Sequence, residues 1–130
     1  MLQRLLDDGV LADVSAKGEE LTARLLSSPL GSSPLVGDIR GRGLFVGIEF
    51  VADRACKTPF PRALQVSQRV QAEAFALGLT VYPGTGSVDG ILGDHLLLAP
   101  PYIIGSAEME LLAGLLATAV ARVATQLGAL

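Results

Sequence analysis

His95 and Cys56 are the sole members of their residue types in this 130-residue chain, and Lys17 and Lys57 are its two lysines. Apart from arginines and carboxylates, these four side chains are the main stock of groups for acid–base, nucleophilic or metal chemistry. His95 follows Asp94, and a histidine titrates near neutrality. The sequence gives it no identifiable partner, so a structural histidine after a loop-ending aspartate is the plainer reading. Cys56 cannot form an internal disulfide, which fits a reducing compartment, and reads as an ordinary loop thiol. No cluster of Cys, His and carboxylate stands at ligand spacing around His95, so no metal site is expected. Lys17 falls on the charged face of a helical segment and Lys57 in a proline-rich loop. Neither has the surroundings of a desolvated, activated amine.

Arg40 and Arg42 flank Gly41 and could reach an anionic substrate, although pairing with local acids is the commoner fate of such residues. The glycines at 41, 43 and 47 form neither a dinucleotide fingerprint nor a phosphate loop. Gly41 and Gly43 instead suit backbone geometry that a side chain would block. The glycine-rich stretch from Pro83 through Gly84 and Thr85, and the Pro100-Pro101-Tyr102 corner, are the segments best suited to face a site, because glycine allows close approach. The candidate substrate-facing residues are therefore Arg40, Arg42, Pro83, Gly84, Thr85 and Tyr102.

The elements that must position them follow from periodicity. Leu11, Val14, Leu21, Leu25 and Leu26 fall at helical spacings over Leu11–Leu26, with Gly18 weakening the middle, and Ser27 to Pro34 is a loop. Val36 to Val51 predicts two strands around a glycine-rich bend, or one strand broken by a bulge. Leu64–Leu77 predicts a second helix buried along Val66, Val70, Ala74 and Leu77, with Gly78 as its C-terminal cap. Leu79–Tyr82 predicts a short strand stopped by Pro83-Gly84, and Pro83 to Asp94 a loop. His95–Ala99 predicts another strand ended by Pro100-Pro101. A last helix starts at Ser106, with Glu108 and Glu110 in its first turn, and is apolar on nearly every side from Leu111 to Ala121. The order predicts an α+β fold, a small mostly antiparallel sheet covered by helices on one face. The division expected is 1–35 as the end of a linking helix and a loop, and 36–130 as the domain proper, one domain overall.

Composition bounds what such a domain can do. Half of the residues are hydrophobic, only 18% are charged and the net charge is −3, with mean hydropathy +0.49. The apolar run from Leu111 to Ala121 falls short of the ~20 residues of a membrane span, and Asp7 and Asp8 interrupt any signal-peptide core. A soluble, cytoplasmic chain is expected. Its excess of apolar residues implies surface that a partner covers. No basic stripe with interleaved aromatics supports nucleic-acid binding.

Three stretches carry a family resemblance. VGDIRGRGLFVGIEFV is followed by a Lys-x-Pro-Phe loop and a helix. Gly78-Leu79-Thr80-Val81-Tyr82-Pro83 comes next, then Gly93-Asp94-His95-Leu96-Leu97-Leu98-Ala99-Pro100-Pro101-Tyr102-Ile103-Ile104 and a helix with early acids. Together, over about Val36 to Val123, they resemble the C-terminal small domain of class III aminotransferases. The resemblance implies a fold-type-I enzyme using pyridoxal phosphate (PLP), usually a homodimer, that moves an amino group from an amine or amino acid to a keto acid. It also implies that the Schiff-base lysine and the cofactor site lie in a large domain upstream, so this chain alone is expected to hold no catalytic residue and no PLP. Relatives often clamp a substrate carboxylate with an arginine in the final strand or the loop before it. Leu97 stands at that strand position, and Gly84 to Asp94 contains no arginine, which favours an amine substrate or a clamp from elsewhere. A stand-alone binding module, or a related aminomutase or decarboxylase, is the alternative on the same scaffold.

Overall fold

The computed structural model describes residues 9–128. In chain order the elements are α1 (Val10–Ser27), β1 (Val36–Arg42), β2 (Phe45–Phe50), α2 (Val66–Ala76), β3 (Tyr82–Thr85), β4 (Asp94–Leu98) and α3 (Ser106–Gln126), with short 3-10 turns at Pro29–Ser32 and Arg62–Leu64. The strands form one antiparallel sheet in the order β1-β2-β4-β3. The α+β expectation, with helices on one face, holds.

Strand alternation makes the two layers. Val46, Ile48 and Phe50 of β2 and Leu96 and Leu98 of β4 point to one face, and each is no more than 3% exposed. There they meet Leu21 and Leu25 of α1, Val66, Val70 and Ala74 of α2, and Met109, Leu116, Val120 and Val123 of α3 in one continuous core. Each such large aliphatic or aromatic side chain contributes roughly 1.5–3 kcal/mol by leaving water. The last helix packs against both α1 and α2, so its apolar run is buried on more than one side. Its exposed strip holds Gly114, Thr118, Ala121 and Arg122.

The glycine-rich bend between β1 and β2 is a hairpin. Arg42 pairs with Phe45 across Gly43 and Leu44, and Gly43 takes φ +56°, as hairpin turns matched to the strand twist require. A register shift between Val36 and Asp38 adds a bulge within β1, but the stretch forms two strands and not one strand broken by a bulge. Gly18, read as a weak point in its helix, proves to be a contact point. It is buried, and a Cβ there would collide with the Gly43 carbonyl oxygen. Only glycine lets α1 lie this close to the hairpin turn. The stripe expected on α1 is buried at Leu21 and Leu25, whereas Leu11 and Leu26 are 60% and 53% exposed.

Helix α2 ends as the sequence predicts. Gly78 has φ +91°, its N–H donates to the Phe75 carbonyl, and the Leu79 N–H donates to that of Ala74, which is a Schellman cap. It starts later than expected, at Val66, because Gln65 adopts a left-handed conformation (φ 50°). The third strand also differs from expectation. It is Tyr82–Thr85, with Pro83 paired to Leu96, so Pro83-Gly84 continues the strand and does not stop it. The strand lies at the sheet edge, where a missing N–H is tolerated. The fourth strand begins one residue early, at Asp94, and ends at Leu98. At the start of α3, Glu108 accepts a hydrogen bond from the Gly105 N–H at 3.0 Å. Glu110 lies beyond the first turn and reaches Arg24 only at 3.9 Å.

Replacing Gly18 by alanine tests the α1 contact. Helix propensity favours alanine by up to about 1 kcal/mol, but overpacking costs typically 1–3 kcal/mol. The prediction is a net loss of about 1–2 kcal/mol in urea denaturation; a stabilised variant would show that the contact is not tight.

Candidate functional site

The face of the sheet turned away from the helices forms a cleft of about 520 Å³, lined by residues that include Arg40, Arg42, Phe45, Gly47, Glu49, Ser87, His95 and Leu97. The register builds it in rows. Arg42 pairs with Phe45; Arg40, Gly47, Leu97 and Tyr82 lie in line across four strands; Asp38, Glu49, His95 and Gly84 form the next row. Paired positions share a face, so these side chains meet although they come from distant parts of the sequence.

Arg40 is occupied. Its guanidinium donates to Asp38 at 2.6 Å and to Glu49 at 3.2 Å, and these hydrogen bonds, Asp38 first, raise its pKa further above the usual arginine value. The local pairing expected of the arginines is thus found at Arg40. Arg42 is exposed and makes no ion pair with an acid among the described residues. It is the cation left over on this face.

His95 lies across Gly84. A Cβ at position 84 would run into the imidazole ring at Nε2 and Cε1, so glycine there is a steric requirement. The other ring nitrogen, Nδ1, is buried and has no hydrogen-bond partner among the described residues. Asp94, read as the end of a loop, has a different part. It is 3% exposed on the helix side, and its carboxylate accepts from both the N–H and the hydroxyl of Ser67, each at 3.0 Å. The first turn of α2 thereby receives an anion at its positive end, and the tie fixes the helix to β4.

The structure groups only part of the candidate set. Arg40, Arg42 and, beneath His95, Gly84 share the open face. Tyr102 is exposed next to it, lining a neighbouring cleft with Arg42 and Phe45, while its carbonyl accepts from Lys17. Pro83 pairs with buried Leu96 on the helix side. Thr85 lines a separate polar pocket of about 100 Å³ with Arg62, Gln65 and Asp94. Phe45 and Glu49 were not singled out by sequence reasoning, and Leu97 was named only for the arginine it lacks. Their signal was present as alternation, Phe45-x-Gly47-x-Glu49 against His95-x-Leu97, but joining the runs required the β2–β4 register. In the loop Gly86–Gly93, Asp89 accepts from the N–H groups of Ile91 at 2.9 Å and Leu92 at 2.6 Å, and these bonds, Leu92 first, lower its pKa.

No family model matches the chain. Individual proteins do match. An uncharacterized aminotransferase of Bacillus subtilis, YodT, is 37% identical over 95% of the chain and 28% of its own length. The taurine–pyruvate aminotransferase of Rhodobacter capsulatus is 34% identical over 95% of the chain and 26% of its length. In the solved structure of a Bacillus anthracis aminotransferase, 93% of the chain superposes at TM-score 0.80 with 34% identity, on 26% of that protein. The chain aligns with the C-terminal part of its aminotransferase relatives. It spans about a quarter of the length of these relatives.

PLP chemistry would require an amine held in a desolvated pocket. Lys17 donates to the Tyr102 carbonyl and pairs with Asp13 at 3.1 Å, and Lys57 donates to the Gly37 carbonyl. Neither lines the open-face cleft, so the lysines present do not fit a Schiff-base site. Among the described residues no group of three or more His, Cys, Asp and Glu comes together as a metal would require. No helix among them is long and apolar enough to cross a membrane.

Two measurements check the site. Gly84→Ala is expected to cost about 1–3 kcal/mol by overpacking, and His95→Ala in the same chain to recover most of that loss; independent, additive effects would refute the ring contact. Asp89 has a depressed folded pKa, so its hold on the loop is present above the unfolded value and is lost as pH falls through the folded one. Carboxyl NMR should place its midpoint below the ordinary aspartate value of 3.8, and amide exchange at Ile91 and Leu92 should speed up, beyond its intrinsic pH dependence, below that midpoint.

Proposed function

We propose that the chain is the C-terminal small domain of a PLP-dependent class III aminotransferase, moving amino groups from an amine or amino acid to a keto acid. In this reading a larger part of the same polypeptide supplies the Schiff-base lysine and the cofactor cradle, α1 is the linking helix, and the enzyme works as a cytoplasmic homo-oligomer. The observation that supports it most is the superposition of 93% of the chain on an aminotransferase of which it covers 26%. The chemistry of the two lysines agrees, since both are engaged away from the cleft.

The role of this domain is to bind and orient. With Arg40 neutralised by Asp38 and Glu49, Arg42 is the side chain free to attract an anionic group, and Tyr102 lies beside it. Gly84 allows His95 to lie flat at the cleft wall, while Pro83 and Thr85 hold the edge strand that carries it. The bidentate carboxylate clamp found in many relatives has no counterpart at Leu97, which supports an amine donor or a clamp from the larger part.

The test has two arms. An antibody against this domain should detect, in source-cell lysate, a polypeptide several times larger than the 13.5 kDa chain. The purified chain, mixed with PLP and reduced with borohydride, should give no stoichiometric adduct at a single lysine by mass analysis. A native band at the size of the chain would point to a free-standing module, and one defined lysine adduct would overturn the assignment of the cofactor site to another part.

A further inference from the structure

Two successive residues of α1 bear on the two elements that enclose the cleft beside Arg42. That cleft, of about 520 Å³, is lined by Val14 of α1, by Arg42 and Phe45 of the β1–β2 hairpin, and by Pro100, Pro101 and Tyr102 of the corner after β4. Gly18 meets the hairpin, since a Cβ there would collide with the carbonyl oxygen of Gly43, the residue after Arg42. Lys17 meets the corner: its ammonium donates to the Tyr102 carbonyl at 2.7 Å and pairs with Asp13 at 3.1 Å. Together the two contacts set the distance from Arg42 to Tyr102.

The corner has little else to hold it. Pro100 and Pro101 have fixed φ, and the Ile104 N–H donates to the Pro101 carbonyl at 3.1 Å within the corner itself. Among the described residues, the Lys17 bond is the only hydrogen bond that ties Pro100–Ile103 to another element. Packing adds little, because Tyr102 and Ile103 are 52% and 88% exposed. Lys17 itself keeps only 22% of its side chain exposed, whereas lysines ordinarily stay in water, where the long stem retains its rotamer freedom. A lysine ordered in this way, on the carbonyl of a cleft residue, does more than solvate a helix face. We propose that Lys17 is a positioning residue: by holding the Tyr102 carbonyl it fixes the width of the cleft, which then selects an anion carried on an apolar body that fills the space between Phe45 and Tyr102. The inference rests on Arg42 receiving an anionic group, as in the function proposed above.

Benzoate and inorganic sulfate are the probes, titrated into the isotope-labelled 130-residue chain and followed by NMR. Sulfate needs only the Arg42 charge, whereas benzoate also depends on the width of the cleft. In the parent chain both should move the Arg42 Nε–H resonance, and benzoate the Phe45 and Tyr102 amides as well. Removing Lys17 together with its ion-pair partner, in Asp13→Asn/Lys17→Met, leaves the net charge of α1 unchanged. That double variant is expected to bind benzoate about fivefold more weakly, because the corner must then be ordered on binding, and to bind sulfate as the parent does. The backbone order parameters of Tyr102 and Ile103 should fall in it, while Lys17→Arg, which keeps a donor and a charge, should hold the parent values. Unchanged benzoate affinity in the double variant would overturn the positioning role. So would an equal loss of both anions, or a double variant that no longer folds, since either makes Lys17 a residue of general stability. A Lys17→Arg chain as weak as the double variant would sink it too. No Arg42 response to either anion in the parent is a different failure: it removes Arg42 as the anion receiver, and the role of Lys17 with it.

Discussion

How closely α1 can approach the β1–β2 turn sets the geometry of the whole domain. Gly18 rests against the Gly43 carbonyl, and this places Leu21 and Leu25 one and two turns further on, over the sheet. Glu20, on the same stretch, accepts from the Ser106 hydroxyl at 2.6 Å and from Arg24, and those bonds, Ser106 first, lower its pKa. The helix is thus pinned at one point to the hairpin and at another to the start of α3. With α1 fixed, α3 packs between it and α2, and the three helices close one face of the sheet. A side chain at position 18 would lift α1 and loosen every one of these contacts, because close-packed interiors transmit small displacements.

Layering makes the two sheet faces unequal. One has its alternate residues sealed in the core, and the other keeps Arg40, Arg42, Glu49 and His95 in reach of solvent or a partner. Asp94 and His95 show how completely adjacent residues can diverge. Asp94 points inward and satisfies the first turn of α2 through Ser67. His95 points outward and lies over Gly84. Strand pleating alone separates a structural carboxylate from the imidazole beside it, which is why the dipeptide is not a proton-exchanging pair.

Much of the fold was legible in the sequence because its signals are local. The glycine that ends α2, the glycine-rich hairpin, the start of α3 at Ser106 and the buried face of α2 all depend on neighbours a few residues away. The errors share a different cause. Pro83-Gly84 reads as a break, yet an edge position removes the penalty on proline and the His95 ring demands the glycine. Gly18 reads as a helix defect until its distant neighbour, Gly43, is known. The site was less legible than the fold for the same reason. Arg40 and Arg42 could be named from their own hairpin, which also holds Phe45 and Glu49, but Leu97 joins them only through the β2–β4 register, which no short window contains, and Thr85 proved to lie on the opposite side.

That register has a consequence for how the domain comes into being. Partners in the β1–β2 hairpin are near in sequence, whereas Phe50 pairs with Asp94 and Val46 with Leu98, more than forty residues apart. Closing so long a loop carries an entropic cost that the hairpin does not, and non-local pairing slows folding. During synthesis β2 must therefore wait, with one edge bare, until β4 has emerged. Such an edge is a template for pairing with another nascent chain. A strand that is central in the finished sheet is, on the ribosome, the segment most in need of shelter.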